Sequence, residues 1–179
     1  MNVKKRFEIV KDECRKHLEE NIQLPRKSTK MSIAYDFFSP VNVAIFPKKK
    51  VTVWTDVKVK LSNYAIIRST TDAQLKGVQL AESLDIIPRS WIGIKHSVML
   101  ANTMGLIDPD YYSNESNDGN IALCLYNYGE ELITINKGER FAQGSIKLNV
   151  VDECDDDYLA ERKGGLGSTG KWDNGLWRV

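Results

Sequence analysis

Ile121-Ala122-Leu123-Cys124-Leu125-Tyr126, Leu132-Ile133-Thr134-Ile135 and Phe141-Ala142-Gln143-Gly144-Ser145-Ile146 follow one another at short intervals. Asn127-Tyr128-Gly129 and Asn136-Lys137-Gly138 separate them. Brief runs rich in β-branched and aromatic residues, punctuated by Asn and Gly, read as strands joined by tight turns. The same texture extends upstream through Val41-Asn42-Val43-Ala44-Ile45, the run Val51 to Leu61, Val78-Gln79-Leu80 and Leu84-Asp85-Ile86-Ile87. Pro47-Lys48-Lys49-Lys50 supplies a further turn. Many short strands at near-regular spacing predict an all-β barrel or sandwich.

Outward from this region the texture changes. Val3, Phe7, Val10, Cys14 and Leu18 recur at steps of four and three before Pro25. That spacing predicts an amphipathic N-terminal helix. Ser69 to Lys76 reads as a polar excursion or short helix, and Tyr112 to Gly119 as a loop dense in Asn, Ser, Asp and Gly. After Val151 the chain turns acidic, with Asp152, Glu153, Asp155, Asp156 and Asp157. Gly164-Gly165-Leu166-Gly167-Ser168-Thr169-Gly170 then has the composition of a linker, or of a flexible strip whose bare amides and two hydroxyls close over phosphates. Trp172 and Trp177 near the end predict a terminus that docks on its own subunit or a neighbour. The expected division is 1–30, a helical extension; 31–150, the β domain; and 151–179, an acidic linker and C-terminal arm.

The bulk numbers are ordinary. A chain of 179 residues with 42% hydrophobic and 27% charged residues is long enough for one domain with a real core. A net charge of +1 favours neither nucleic acid nor an anionic membrane as partner. No apolar run is long enough to span a bilayer, and no apolar stretch follows the basic residues Lys4, Lys5 and Arg6 as a secretion signal would require. Cys14, Cys124 and Cys154 are scattered and odd in number, which suits reduced thiols in a cytoplasm and no zinc site.

Four polar clusters interrupt the β region: Ala34-Tyr35-Asp36, Pro88-Arg89-Ser90, Asn102 to Tyr111, and Gly138-Glu139-Arg140-Phe141-Ala142-Gln143. Taken singly, each has a structural reading, since Asp36 can cap a turn, Arg89 can pair with a carboxylate and Asp108-Pro109 is good turn chemistry. Together with Gly165 to Gly170, and in this order, they resemble the five motifs of the trimeric dUTP pyrophosphatase (dUTPase) family over roughly Met31 to Gly170.

The resemblance implies a jelly-roll-like β barrel with an extra N-terminal helix and a flexible glycine-rich arm. It implies a homotrimer with active sites shared between subunits. The implied activity is hydrolysis of dUTP to dUMP and pyrophosphate with Mg²⁺, a step of nucleotide metabolism that keeps uracil out of DNA. Asp108 matches the general base that activates water against the α-phosphorus. Tyr111 matches the tyrosine that packs on deoxyribose and leaves no room for a 2′-hydroxyl. Gly105, Leu106 and Ile107, in the hairpin around Asp108, match the backbone that reads uracil, with Asn102 near the base. Arg89, Ser90 and Gln143 match phosphate-contacting residues, and Ala122 is a further expected substrate contact. Asp36 matches the carboxylate that holds Mg²⁺ through its waters. Gly167, Ser168 and Thr169 would close over the phosphates, joined by Arg162.

The departures are specific. Leu166 stands where the family has a phenylalanine that stacks on uracil. Trp91 replaces a small residue, as an aromatic contact to substrate or a filler of the subunit interface. The loop after Tyr111 is longer, and 63–82 reads as an insertion. A dCTP deaminase-like enzyme shares part of the second and third motifs but lacks such an arm. A regulatory binding protein on the same scaffold would act through the N-terminal helix, the insertion or the tail.

Overall fold

A computed structural model describes residues 6–65, 79–151, 162, 164 and 165. Leu166, Gly167, Ser168, Thr169, the two tail tryptophans, the acidic run and the 69–76 excursion lie outside the described residues.

The strands are β1 (Phe7–Ile9), β2 (Ala34–Phe38), β3 (Val43–Ile45), β4 (Lys50–Trp54), β5 (Val57–Val59), β6 (Asn63–Ala65), β7 (Gln79–Pro88), β8 (Val98–Leu100), β9 (Gly105–Ile107), β10 (Ala122–Asn127), β11 (Ile133–Ile135) and β12 (Arg140–Val151). Two 3-10 turns, Asp12–Cys14 and Pro109–Tyr111, and one π-turn, Trp91–Lys95, are the helical elements among the described residues. Alternation decides which faces turn inward. In β3 and β11, Val43, Ile45, Ile133 and Ile135 are buried while Ala44 and Thr134 face water. In β10, Leu123, Leu125 and Asn127 are buried.

All pairings between strands are antiparallel. β4, β10 and β8 form one sheet, while β3 pairs with β11 and β1 with β5. The largest sheet runs β2-β12-β7-β6, and β9 also pairs with β7. One hydrophobic core fills the space between, with Phe37, Leu84, Ile86, Leu125, Ile135 and Phe141 among its fully buried side chains. The stretch read as an insertion begins and ends as a ladder, Asn63 opposite Ala81 and Ala65 opposite Gln79. No helix among the described residues is long and apolar enough to cross a membrane.

The expected N-terminal helix is not what forms. Residues 7–9 are strand β1, antiparallel to β5, and Asp12–Cys14 is a single 3-10 turn. Phe7 and Val10 are buried as the helical spacing required, but Leu18 is 56% exposed, so the stripe does not continue. Tertiary hydrogen bonds override the local pattern. The Val10 amide donates to the Asp56 carbonyl at 3.1 Å. The buried Asp56 carboxylate accepts the Lys16 and His17 amides at 2.9 and 2.8 Å. It also accepts Asn120 Nδ2 at 2.9 Å, while the Asp56 amide donates back to Asn120 Oδ1 at 3.0 Å. Backbone groups that a helix would have served internally are thereby satisfied by partners distant in sequence.

Asp56→Ala orphans the Lys16 and His17 amides, and the expected loss is about 2–4 kcal/mol of unfolding free energy. Asp12→Ala, at a side chain 83% exposed, is expected to change it by less than about 0.5 kcal/mol. Urea unfolding of the two variants measures the difference, and equal midpoints would remove Asp56 as the anchor of this segment.

Candidate functional site

Strand register assembles the first group. Gln143 on β12 lies opposite Asp36 on β2 and opposite Ile87 on β7, so the three sit abreast on one face. Arg89, two residues past Ile87, shares that face; its amide donates to the Phe141 carbonyl at 3.0 Å, and its carbonyl accepts the Ile92 and Gly93 amides as the π-turn begins. Asp36 is 3% exposed. Arg89 Nη1 donates to Asp36 Oδ1 at 2.6 Å. Arg140 Nη1 donates to Asp36 Oδ2 at 3.3 Å and to Ser28 Oγ at 2.9 Å, and Ser28 Oγ donates to Asp36. A cleft of about 430 Å³ opens beside them, lined by Ser28, Asp36, Arg89 and Gln143. Asp36 spends its charge on holding two guanidiniums, and Arg89 keeps donors free to face the cleft. Ser90 is exposed next to it. Guanidinium donors beside an open cleft are chemically suited to anionic oxygen.

Trp91 braces that group. Its indole Nε1 donates to the Arg140 carbonyl at 2.8 Å, and its ring packs edge-on to His96 with centroids 5.4 Å apart.

A second group lies across β7. Gly105 opposes Ile86, Leu106 opposes Asp85 and Ile107 opposes Leu84. The expected hairpin around Asp108 is an arch instead: β8 pairs with β10 and β9 with β7, so residues 101–104 carry the chain from one sheet to the other. Thr103, at φ 66°, makes the bend, and Asn102, Met104 and Leu106 are exposed along it. Asp108 precedes the Pro109–Tyr111 turn, where proline at the first position sets φ. Ala122 opens β10 opposite Trp54 and is half-buried.

Arg162 binds this second group from the C-terminal side of the same chain. Its Nη2 donates to Asp108 Oδ2 at 2.6 Å and its Nε to Asp110 Oδ1 at 2.8 Å. Its guanidinium carbon lies 5.8 Å from the centre of the Tyr111 ring. Gly165 presses on the same ring: a Cβ there would stand 2.5 Å from Tyr111 Cε2 and 2.8 Å from its hydroxyl. Only glycine fits that approach. Tyr111 is 6% exposed, and burial pushes its phenol above the usual range, against the lowering pull of the Asn117 hydrogen bond and the Arg162 charge.

The two groups do not meet within one chain. Asp108 follows Ile107, so it stands level with Ser83, six positions along β7 from Arg89. At about 3.3 Å per residue, that is roughly 20 Å. Asp110 and Arg140 lie inside the clusters the sequence marks but have no role assigned there, and Ser28 is not marked at all; the three complete the two groups. Asp110 had a signal, an acid two residues from Asp108 across a proline; Ser28 had none, because its partner is eight residues away on another segment.

A family model described as dUTPase matches residues 20–170. The chain is 31% identical over 165 residues to deoxyuridine 5′-triphosphate nucleotidohydrolase of Lactococcus lactis, covering 92% of this chain and 96% of that one. It is similar to the solved dUTPase of Streptococcus mutans, with TM-score 0.63 and 26% identity, covering 84% of this chain and 100% of that one. The fold is shared with a point-mutant dUTPase from phage phi11 of S. aureus, whose structure details coordination of a structural Mg(II) ion, at TM-score 0.55 and 18% identity, covering 83% of this chain and 93% of that one.

If the cleft beside Arg89 is the anion receptor, Arg89→Ala lowers affinity for inorganic pyrophosphate by about tenfold or more, the worth of one charge-assisted hydrogen bond. Lys48→Ala, at an exposed residue paired with Glu130, is expected to leave it within about twofold. Titration calorimetry of both variants decides; equal losses would assign the binding to general charge.

Proposed function

Because the chain belongs to the dUTPase family and is a dUTP diphosphatase, we propose how its residues divide the cleavage of dUTP into dUMP and pyrophosphate. The observation that carries the division is the separation of two groups, one cationic and one bearing an open carboxylate, by roughly 20 Å along β7.

Asp108 is the general base. It is the carboxylate of the second group that follows the exposed arch and β9, 42% exposed at its side chain and held by one Arg162 hydrogen bond. A water between Asp108 and the α-phosphorus gives its proton to the free carboxylate oxygen as its own oxygen attacks. Backbone groups of Gly105, Leu106 and Ile107, with Asn102 at the bend, read the uracil edge, and Tyr111 walls off the 2′ position of the sugar. Arg89, Ser90 and Gln143 take the phosphate chain, and Trp91 keeps Arg89 and Arg140 in register rather than touching substrate. Arg162 and the arm beyond it, with Leu166, Gly167, Ser168 and Thr169, close over the nucleotide; Ala122 contributes from β10.

Mg²⁺ fits this donor set only through water. No group of three His, Cys, Asp or Glu side chains gathers among the described residues, and Asp36, the carboxylate lining the cleft, is already paired with Arg89 and Arg140. A single carboxylate in that company would hold a hydrated ion through the ion's waters. The ion would neutralise phosphate charge and ease departure of pyrophosphate.

The separation also supports the assembly. Phosphate-binding and base-bearing groups that serve one small nucleotide must come from different copies, which a homotrimer with shared sites supplies. Such a site has no need of nucleic acid or a membrane, and the free thiols of Cys14 and Cys124 suit a cytoplasmic location.

Pyrophosphate release from each deoxynucleoside triphosphate and from UTP, with Mg²⁺, tests the reading. The expected result is release from dUTP alone, and equal release from dTTP would sink it. Asp108→Asn is expected to lower kcat by about 10²–10⁴ while nucleotide still binds. A retained kcat would remove Asp108 as base, and a solution mass of one subunit would remove the shared site.

A further inference from the structure

The nine residues after Tyr111 contain no aliphatic side chain that could bury itself, yet Asn114, Asp118, Gly119 and Asn120 are buried. Their order comes from hydrogen bonds gathered around Tyr111. Asn114 Nδ2 donates to the Tyr111 carbonyl at 2.9 Å and to Asn117 Oδ1 at 2.8 Å. Asn117 Oδ1 also accepts the Gly119 amide at 3.0 Å. With its oxygen held twice, the Asn117 side chain can aim its amide nitrogen one way, and Nδ2 donates to the Tyr111 hydroxyl at 2.8 Å. That hydroxyl donates onward to the Asn120 carbonyl at 2.9 Å. The phenol therefore has one fixed donor and one fixed acceptor.

The cage is tied down on its outer side. Asp118 accepts Lys58 Nζ at 2.7 Å and the Lys11 amide at 2.8 Å. Asn120 Nδ2 donates to Asp56 and to the Cys14 carbonyl at 2.9 and 3.0 Å. Gly119 turns at φ +81°, and a Cβ there would stand 2.8 Å from the Tyr111 carbonyl oxygen. The loop is closed on the tyrosine too tightly for any other residue.

A wall that tells deoxyribose from ribose must exclude one oxygen atom. A ring free to tilt by about an ångström would admit it, so discrimination depends on how rigidly the ring is held. We propose that Asn117 is a positioning residue for sugar selectivity: its amide locks the Tyr111 phenol, so that the ring cannot yield to a 2′-hydroxyl. This rests on the reading of Tyr111 as the sugar wall.

The experiment is the ratio of kcat/KM for dUTP over UTP in Asn117→Ala, Asn117→Asp, Tyr111→Phe, Tyr111→Ala and the Asn117→Ala/Tyr111→Phe pair. Asn117→Asp keeps an oxygen for the Gly119 amide and turns the donor to the phenol into a charged acceptor that competes with the Asn120 carbonyl for the phenol proton, so it serves if Asn117→Ala does not fold. The expected result is a ratio lowered about tenfold or more in both Asn117 variants and in Tyr111→Phe. The double variant is expected to fall no further than Tyr111→Phe, which already removes the hydrogen bond from Asn117 along with the one to the Asn120 carbonyl. A purely structural role would lower the melting temperature and leave the ratio alone, which overturns the proposal. If Tyr111→Ala leaves the ratio unchanged, the sugar-wall reading itself fails. If Tyr111→Ala lowers it and both Asn117 variants leave it intact, the inference about Asn117 fails alone.

Discussion

The ladder between β7 and β12 is the constraint on which the rest depends. It runs without a break from Ala142 opposite Pro88 to Val151 opposite Gln79. Its core face carries Leu84 and Ile86, both fully buried, so a one-residue slip would turn them outward and bring Asp85 and Ile87 in. The burial that holds the sheet together therefore also fixes the register of the polar face. Asp36 on β2 and Gln143 on β12 meet beside Arg89 because their strands cannot shift. On the opposite edge of β7 the same register fixes Gly105, and through it the arch and Asp108.

Both site carboxylates are kept in ion pairs. Asp36 holds Arg89 and Arg140, and Asp108 shares Arg162 with Asp110. The two pairs differ in kind. Asp36 is shut away at 4% side-chain exposure, and its charge is compensated by Arg140 on β12 and by Arg89 just past β7. Asp108 is 42% exposed, and its partner comes from a segment docked by one arginine and the close approach of Gly165 to Tyr111. A pair so open to solvent is weak and exchangeable. The first kind of pair suits a carboxylate that positions its neighbours, and the second suits the role of base proposed for Asp108.

The strand pattern was legible because alternation and turn residues are local signals. Val43 to Ile45 and Ile133 to Ile135 alternate as short half-buried strands do, and Asn136-Lys137-Gly138 turns between strands. The N-terminal helix was misread for the converse reason. Phe7 and Val10 are buried as a helix would bury them, but against β5 and Asp56, partners roughly 50 residues away that no local period can reveal. Of the site, the ordered motifs were legible as residue types at fixed offsets. The links between them were not: Arg162 on Asp108 joins residues 54 apart, and Arg140 on Asp36 joins residues 104 apart. The polar stretch after Tyr111 read as a plain loop because asparagines that cap turns and asparagines that hold a side chain have the same composition.

The features by which this chain departs from a minimal β barrel converge on one node. Asp56, at φ 54° and fully buried, receives the N-terminal segment through the Lys16 and His17 amides and the long loop through Asn120. Asp118 repeats the arrangement one step out, joining Lys11 to Lys58; burial raises its carboxyl, but hydrogen bonds from Lys58, Lys11 and Ser113 and the Lys58 charge together hold it below the usual range. A buried polar network of this kind contributes less to stability than apolar packing of the same volume, because each charge loses its water. What it supplies is a defined geometry, since its side chains are held by directional bonds from several segments at once. That geometry ends at the Tyr111 hydroxyl. The N-terminal segment and the loop are thus tied to the orientation of the Tyr111 ring.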